Sequence, residues 1–186
     1  MLSLLLLVVL SGAKNCSSLR IVMASTRSRR ALSLARPATG GQDCKDAFYQ
    51  LPLFAVVGAS NDENKFGNKV LRCYKQNGKQ VVPINKVQRV IEGISCYDSL
   101  SALSVGISSS VFHGVRQCCE VGVSMVTPPG VTRMILEEGV ALGYTHFYLQ
   151  PGTHDASVRA YIDLIRADNL HVFIQDCVLI DFGYRH

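Results

Sequence analysis

The sequence predicts an α/β fold, a doubly wound parallel sheet of about five strands with helices on both faces. Three observations predict it. From about residue 43, short apolar runs alternate with longer segments of helical periodicity. The runs are continuously apolar rather than alternating, as strands buried on both faces are. Glycine and proline stand at the ends of the runs, where turns are needed. Strand and helix in strict alternation argue crossover connections and one parallel sheet.

Each element follows from local signals. Asp43 to Leu51 reads as a short leading helix that Pro52 ends. Leu53 to Val57 is the first strand, stopped by Gly58. Phe66 to Asn77 carries Val70, Leu71 and Tyr74 at helical spacing, with Gly78 where a C-terminal cap belongs. Gln80 to Asn85 is the second strand. Its Pro83 donates no ladder hydrogen bond and is expected near the strand's end. Gly122 to Val126 is the next strand. It runs through Thr127, Pro128, Pro129 and Gly130 into a helix to Leu142, capped by Gly143. His146 to Gln150 is a strand broken by Pro151 and Gly152. Asp155 caps a helix to about Ala167, with Val158, Ile162 and Ile165 on one stripe. His171 to Gln175 is the last strand, ending near Asp176 and Cys177.

The 186 residues favour one domain. A composition of 48% hydrophobic and 18% charged residues is that of a soluble globular protein. The net charge of +5 has to be divided. Residues 1–42 carry +6 with no acid, so residues 43–186 sum to −1. A phosphate-binding face for nucleic acid needs clustered Lys and Arg on the fold itself, so a nucleic-acid partner is not expected.

The first 42 residues are set aside from the fold. Leu2 to Leu10 is too short for a membrane span, which needs about 20 residues. From Met23 the chain is rich in Arg, Ser and Ala, in the manner of an organelle-targeting presequence. A transit peptide, a leader of no fixed structure and a secretory signal all stay open. The cysteines argue against secretion. Cys16, Cys44, Cys73, Cys96, Cys118, Cys119 and Cys177 are odd in number, irregularly spaced and without a CxxC pair. The expected location is the mitochondrion or the cytosol, with reduced thiols.

The informative residues follow the strands. In an open parallel sheet, ligands bind outside the carboxyl ends of the strands, where the strand order reverses. Gly58-Ala59-Ser60 supplies a tight turn and open amides before a helix N-terminus, with Lys65 as a mobile charge. The dinucleotide fingerprint GxGxxG is absent, because the next glycine is Gly67. The second strand ends in Asn85 and not in the acid that holds an NAD ribose. No GxxxxGK[ST] occurs either. Thr127-Pro128 and Gln150-Pro151-Gly152 give two stiff turns on the same edge. Each turn taken singly also reads as an ordinary strand end. Together they describe an elongated crevice for a ligand with phosphates and an apolar arm.

These pieces resemble the small CoA-binding proteins, whose domain is shared with the CoA-binding part of succinyl-CoA ligase and of ADP-forming acyl-CoA synthetases. FAVVGASNDENKFGNKV, QVVPIN, IEGISCYDSLSAL, VTPPGV, LQPGTHDA and QDCVLI carry the resemblance, in the family's order, from residue 53 to 180. It implies a Rossmann-like domain that binds coenzyme A or an acyl-CoA. It implies Gly58, Ala59, Ser60 and Lys65 at the phosphates, with Asn85 nearby. Val126, Thr127, Pro128, Gln150, Pro151 and Gly152 would line the pantetheine side. The chain departs from the family between Leu103 and Val121. Residues 104–120 read as an inserted surface loop, or as a splice or gene-model product.

Catalysis is not expected from this chain by itself. The related ligases use a phosphorylated histidine on a second domain and a nucleotide-binding partner. No Ser-His-Asp, paired-carboxylate or metal-ligand pattern stands out. His113, Cys118 and Cys119 fit no zinc spacing. Cys177 is the one candidate redox thiol, with a buried, inert cysteine as the plain alternative. The expected function is a non-catalytic CoA-binding module, as a homo-oligomer or with a partner subunit. The alternatives are a CoA-linked enzyme that needs another chain, and an NAD(P)-type oxidoreductase.

Overall fold

The computed structural model describes residues 42–165, 169–174 and 176–184. The predicted leader and Gln175 lie outside them. The described chain opens with α1 (Gln42–Tyr49), β1 (Leu53–Val57), α2 (Phe66–Gln76) and β2 (Val81–Ile84). A hairpin of β3 (Val90–Ile91) and β4 (Ile94–Ser95) leads into α3 (Leu100–Ser108). A 3-10 turn at Cys118–Glu120 precedes β5 (Val121–Met125) and α4 (Pro129–Ala141). Then come β6 (His146–Leu149), α5 (Ala156–Leu164), β7 (His171–Phe173) and α6 (Val178–Asp181).

Five strands form one parallel sheet in the order β2-β1-β5-β6-β7. The order reverses between β1 and β5, which makes that gap the topological switch point. Successive β1 side chains point to opposite faces. Leu53, Ala55 and Val57 pack under α3, α4 and α5 with Leu100, Leu103, Leu136 and Val158. Phe54 and Val56 pack under α1, α2 and α6 with Phe48, Val70, Tyr74 and Val178. The sheet is therefore doubly wound and Rossmann-like, as the sequence predicts. Burying each of these large side chains stabilises the fold by roughly 1.5–3 kcal/mol. Ser124 sits fully buried in central β5 and is satisfied by the Tyr74 hydroxyl at 2.6 Å.

Pro83 is the third of four β2 residues, one short of the strand's end as expected, and its place on an edge strand is what lets it fit there. Its carbonyl accepts from Tyr97 N on the side away from β1. A strand residue's N–H and C=O point the same way, so the missing donor falls on the outer edge. The helix after Asp155 spans Ala156–Leu164, and Ala167, near which it is expected to end, lies outside the described residues. One local expectation needs correction. The segment 104–120 is not simply a surface loop. Its first five residues continue α3. Ser104 and Ser108 return their hydroxyls to carbonyls one turn back, while Ile107 and Val115 enter the core. The hairpin, α3 and α6 have no counterpart in the sequence reading.

Among the described residues no helix is long and apolar enough to cross a membrane. Cys73, Cys96, Cys118, Cys119 and Cys177 are free thiols.

Candidate functional site

The loops after β1, β2 and β5 meet at the switch point. Gly58 turns β1 outward with φ +89°, a left-handed conformation that favours glycine. A Cβ there would lie 3.0 Å from both Thr127 Cγ2 and the Val126 carbonyl oxygen. Gly67 has a different constraint. A Cβ on it would stand 2.1 Å from the Gly58 carbonyl oxygen, so the first turn of α2 rests directly on the β1 turn.

Side-chain amides lock this arrangement. Asn85 donates from Nδ2 to the Ala59 carbonyl at 2.8 Å, and its Oδ1 accepts from Val87 N and Gln88 N. The first two loops are thereby tied together. Buried Asn68 donates from Nδ2 to the Ser60 carbonyl at 2.9 Å and to Glu92 Oε1 at 2.8 Å. The hairpin is thereby tied to α2. Ser60 is itself buried, and its hydroxyl accepts from Asp62 N. Ala59 is buried beside it.

Lys65 precedes α2 with an exposed side chain and no side-chain cap. The amides of Phe66 and Gly67 that follow have no acceptor among the described residues. Two open donors at the positive end of an 11-residue helix favour an anion.

Thr127 sits where β5 gives way to α4. Thr132 Oγ1 donates to the Thr127 carbonyl at 2.9 Å, and the two hydroxyls lie 2.8 Å apart. Thr132 has one proton and uses it on the carbonyl, so Thr127 donates to Thr132 Oγ1. The Thr127 hydroxyl therefore keeps a lone pair for an incoming donor.

A cleft of about 240 Å³ opens between these loops, α3 and α4. Gly58, Asn85 and Thr127 line it, together with Lys86, Val131, Met134 and Glu138. Among its lining residues Lys86 is the one cation. The sequence reading missed Lys86, although it directly follows Asn85. Glu138 had no signal, because it lies nine residues inside α4 and reaches the cleft only through packing against α3.

The remaining predicted residues lie outside the cleft lining. Pro128, exposed, is the N-cap of α4, and Val126 is half-buried before it. Gln150 is fully buried and accepts from Val178 N through Oε1 at 3.2 Å, so it seats α6. Pro151 and Gly152 are exposed in the turn beyond. His154, which showed no partner in sequence, pairs through Nε2 with Arg159 Nη2 at 3.0 Å. Arg only donates, so Nε2 accepts and the ring is neutral. Burial and the nearby Arg159 charge hold its pKa below the usual histidine value.

Cys177 is half-buried at the N-cap of α6, one residue from the Val178 amide that Gln150 holds. Nearby Cys73 is fully buried. Burial, then the Cys177 and Asp181 charges, push its thiol up to about 11. Cys73 is therefore an inert thiol at neutral pH. Among the described residues, no group of His, Cys, Asp and Glu, including His113, Cys118 and Cys119, comes together as a metal-holding set.

The family of CoA binding domains matches residues 53–183 of this chain. The chain belongs to that family. No curated protein matches it. Solved structures share its fold. A conserved hypothetical protein from Pyrococcus furiosus is 25% identical, with a TM-score of 0.55 over 69% of this chain and 97% of that one. A hypothetical protein from Pyrococcus horikoshii OT3 is 19% identical, with a TM-score of 0.60 over 82% and 97%. A Thermus thermophilus protein is 19% identical, with a TM-score of 0.58 over 76% and 96%. The family match spans every element from β1 to α6, so the CoA-binding domain includes the interrupted segment between α3 and β5.

Proposed function

We propose that the protein binds coenzyme A or an acyl-CoA across the carboxyl edge of its sheet, as a binding module without catalysis of its own. One observation carries the reading. In a member of the CoA-binding domain family, the Gly58 turn, the two open α2 amides and the 240 Å³ cleft meet at the switch point. The phosphates go to Gly58, Ala59, Ser60 and the α2 amides, with Lys65 screening them. The pantetheine arm runs past Val126, Thr127 and Pro128 towards Gln150, Pro151 and Gly152. The free lone pair of Thr127 accepts one of its amide N–H groups. The cleft, at whose edge Thr127 stands, takes the adenosine. Its volume is below the about 300–1,000 Å³ of pockets that enclose a whole ligand, which fits one arm of an extended cofactor.

Calorimetric titration with CoA, acetyl-CoA, NAD and ATP tests the reading. Binding of CoA or acetyl-CoA, without binding of NAD, is expected. NAD binding with no response to CoA would overturn it. Turnover of CoA, a carboxylic acid and ATP or GTP by the purified protein would overturn the non-catalytic part.

A further inference from the structure

The cleft has an acidic floor that the cofactor's phosphates cannot use. Glu138 on α4 lines it and accepts two hydrogen bonds on one oxygen. Ser101 N reaches Oε1 at 2.9 Å and Ser101 Oγ reaches it at 2.8 Å. Both donors belong to the first turn of α3, across the cleft. The carboxylate is thus fixed in orientation from a neighbouring helix. Its second oxygen, Oε2, makes no hydrogen bond among the described residues. The other acid on the lining, Asp98, is already paired with Arg89 at 2.8 Å. The walls between are apolar, with Leu100 buried and Val131 and Met134 exposed at the rim. An oriented acceptor beside two apolar walls matches a flat ring with an N–H donor on its edge.

We propose that Glu138 is a specificity-determining residue that reads the exocyclic amine of the cofactor's purine, selecting a 6-amino over a 6-oxo base. This rests on the reading above, in which the adenosine enters the cleft. Oε2 accepts from the amine, whereas a 6-oxo group turns a second acceptor against it. A carboxylate bond to a neutral donor makes this discrimination worth about tenfold or more.

Glu138→Gln separates this role from a structural one. Ser101 N still needs an acceptor, so the amide oxygen stays where Oε1 was. The amide nitrogen then replaces Oε2 and changes the atom not held by Ser101 from acceptor to donor. The experiment is calorimetric titration of parent and variant with CoA and with its 6-oxo analogue, in which hypoxanthine replaces adenine. The parent is expected to prefer CoA about tenfold or more, and Glu138→Gln to lose or invert that preference. Glu138→Ala, which removes the acceptor, is expected to flatten it. The same CoA preference in parent and Glu138→Gln would overturn the assignment while leaving the cofactor reading intact. A parent that binds neither nucleotide would overturn both.

Discussion

Gly67 shows how much a single residue decides at this site. Its backbone lies in an ordinary conformation, so no left-handed turn requires a glycine there. The requirement is distance, because a Cβ would fall 2.1 Å from a backbone oxygen that cannot rotate away. Gly67→Ala therefore has to push α2 off the Gly58 turn. A loss of about 1–3 kcal/mol in denaturant unfolding is expected, as for an overpacked core position. CoA affinity should fall with it, because the Phe66 and Gly67 amides move. An alanine variant with unchanged stability and affinity would show that this contact is slack. The sequence displayed Gly67 plainly, as the glycine that breaks a dinucleotide fingerprint and as part of the KFG piece of the family resemblance, but not as a packing contact. The family resemblance sets Asn85, the last residue of the predicted second strand, near the phosphates. Its amide turns out to clamp Ala59 to Val87 and Gln88, which is a framing role within the site.

At the scale of elements, α6 is short and depends on side chains to stay docked. Asp181 at its end accepts from Tyr49 at 2.6 Å, Tyr148 at 2.5 Å and Lys45 at 2.9 Å. These bonds join α1, β6 and α6 on one face of the sheet. Burial pushes the Asp181 carboxyl up, and the bonds from Tyr148, Tyr49 and Lys45 outweigh it, so its pKa lies below the usual carboxylate value. Such a group adds stability above its unfolded pKa of about 3.9 and loses it as pH falls through the folded value. In Asp181→Asn, the amide oxygen can keep the two tyrosines only by turning its nitrogen onto the Lys45 ammonium. The variant should lose roughly 1–3 kcal/mol at pH 7. The gap to the parent should stay constant down to about pH 5 and close below about pH 4. Urea unfolding at several pH values measures it, and a gap that widens on acidification would refute the account.

For the whole molecule, the relevant quantity is what ligand binding adds to folding. A ligand that binds the folded state at a hundredfold its Kd stabilises by about 2.7 kcal/mol. For a domain of this size, that raises Tm by roughly 5–10 °C. CoA is expected to produce such a shift in a thermal melt, and NAD at the same concentration to leave Tm unchanged. An unmoved Tm with CoA at millimolar concentration would count against the cofactor reading. The overall charge of +5 has no part in this binding, since residues 43–186 sum to −1. In the proposed reading, the anion is met by local donors at one helix end and by single lysines rather than by a basic face.

The fold was legible in the sequence because its signals are local. Apolar runs bounded by Gly58, Gly78, Pro151 and Gly152 mark strands and turns within a few residues of one another. Parallel order follows from their alternation with helices. That the loops after β1 and β5 meet was legible for the same reason, since strand ends in such a sheet share one edge. Three features were decided by tertiary packing. Residues 104–108 became helix, although their serines look like loop, because Leu103 and Ile107 bury against the sheet and the hydroxyls bond back one turn. Gln150 took on the seating of α6 by accepting from Val178 N, because a short helix landed beside it. Glu138 reached the cleft because α3 packs across α4 and offers Ser101 to it. Spacing along the chain specifies which residues share an edge. It does not specify which helix faces supply the floor between them, because those contacts join residues tens of positions apart through packing alone.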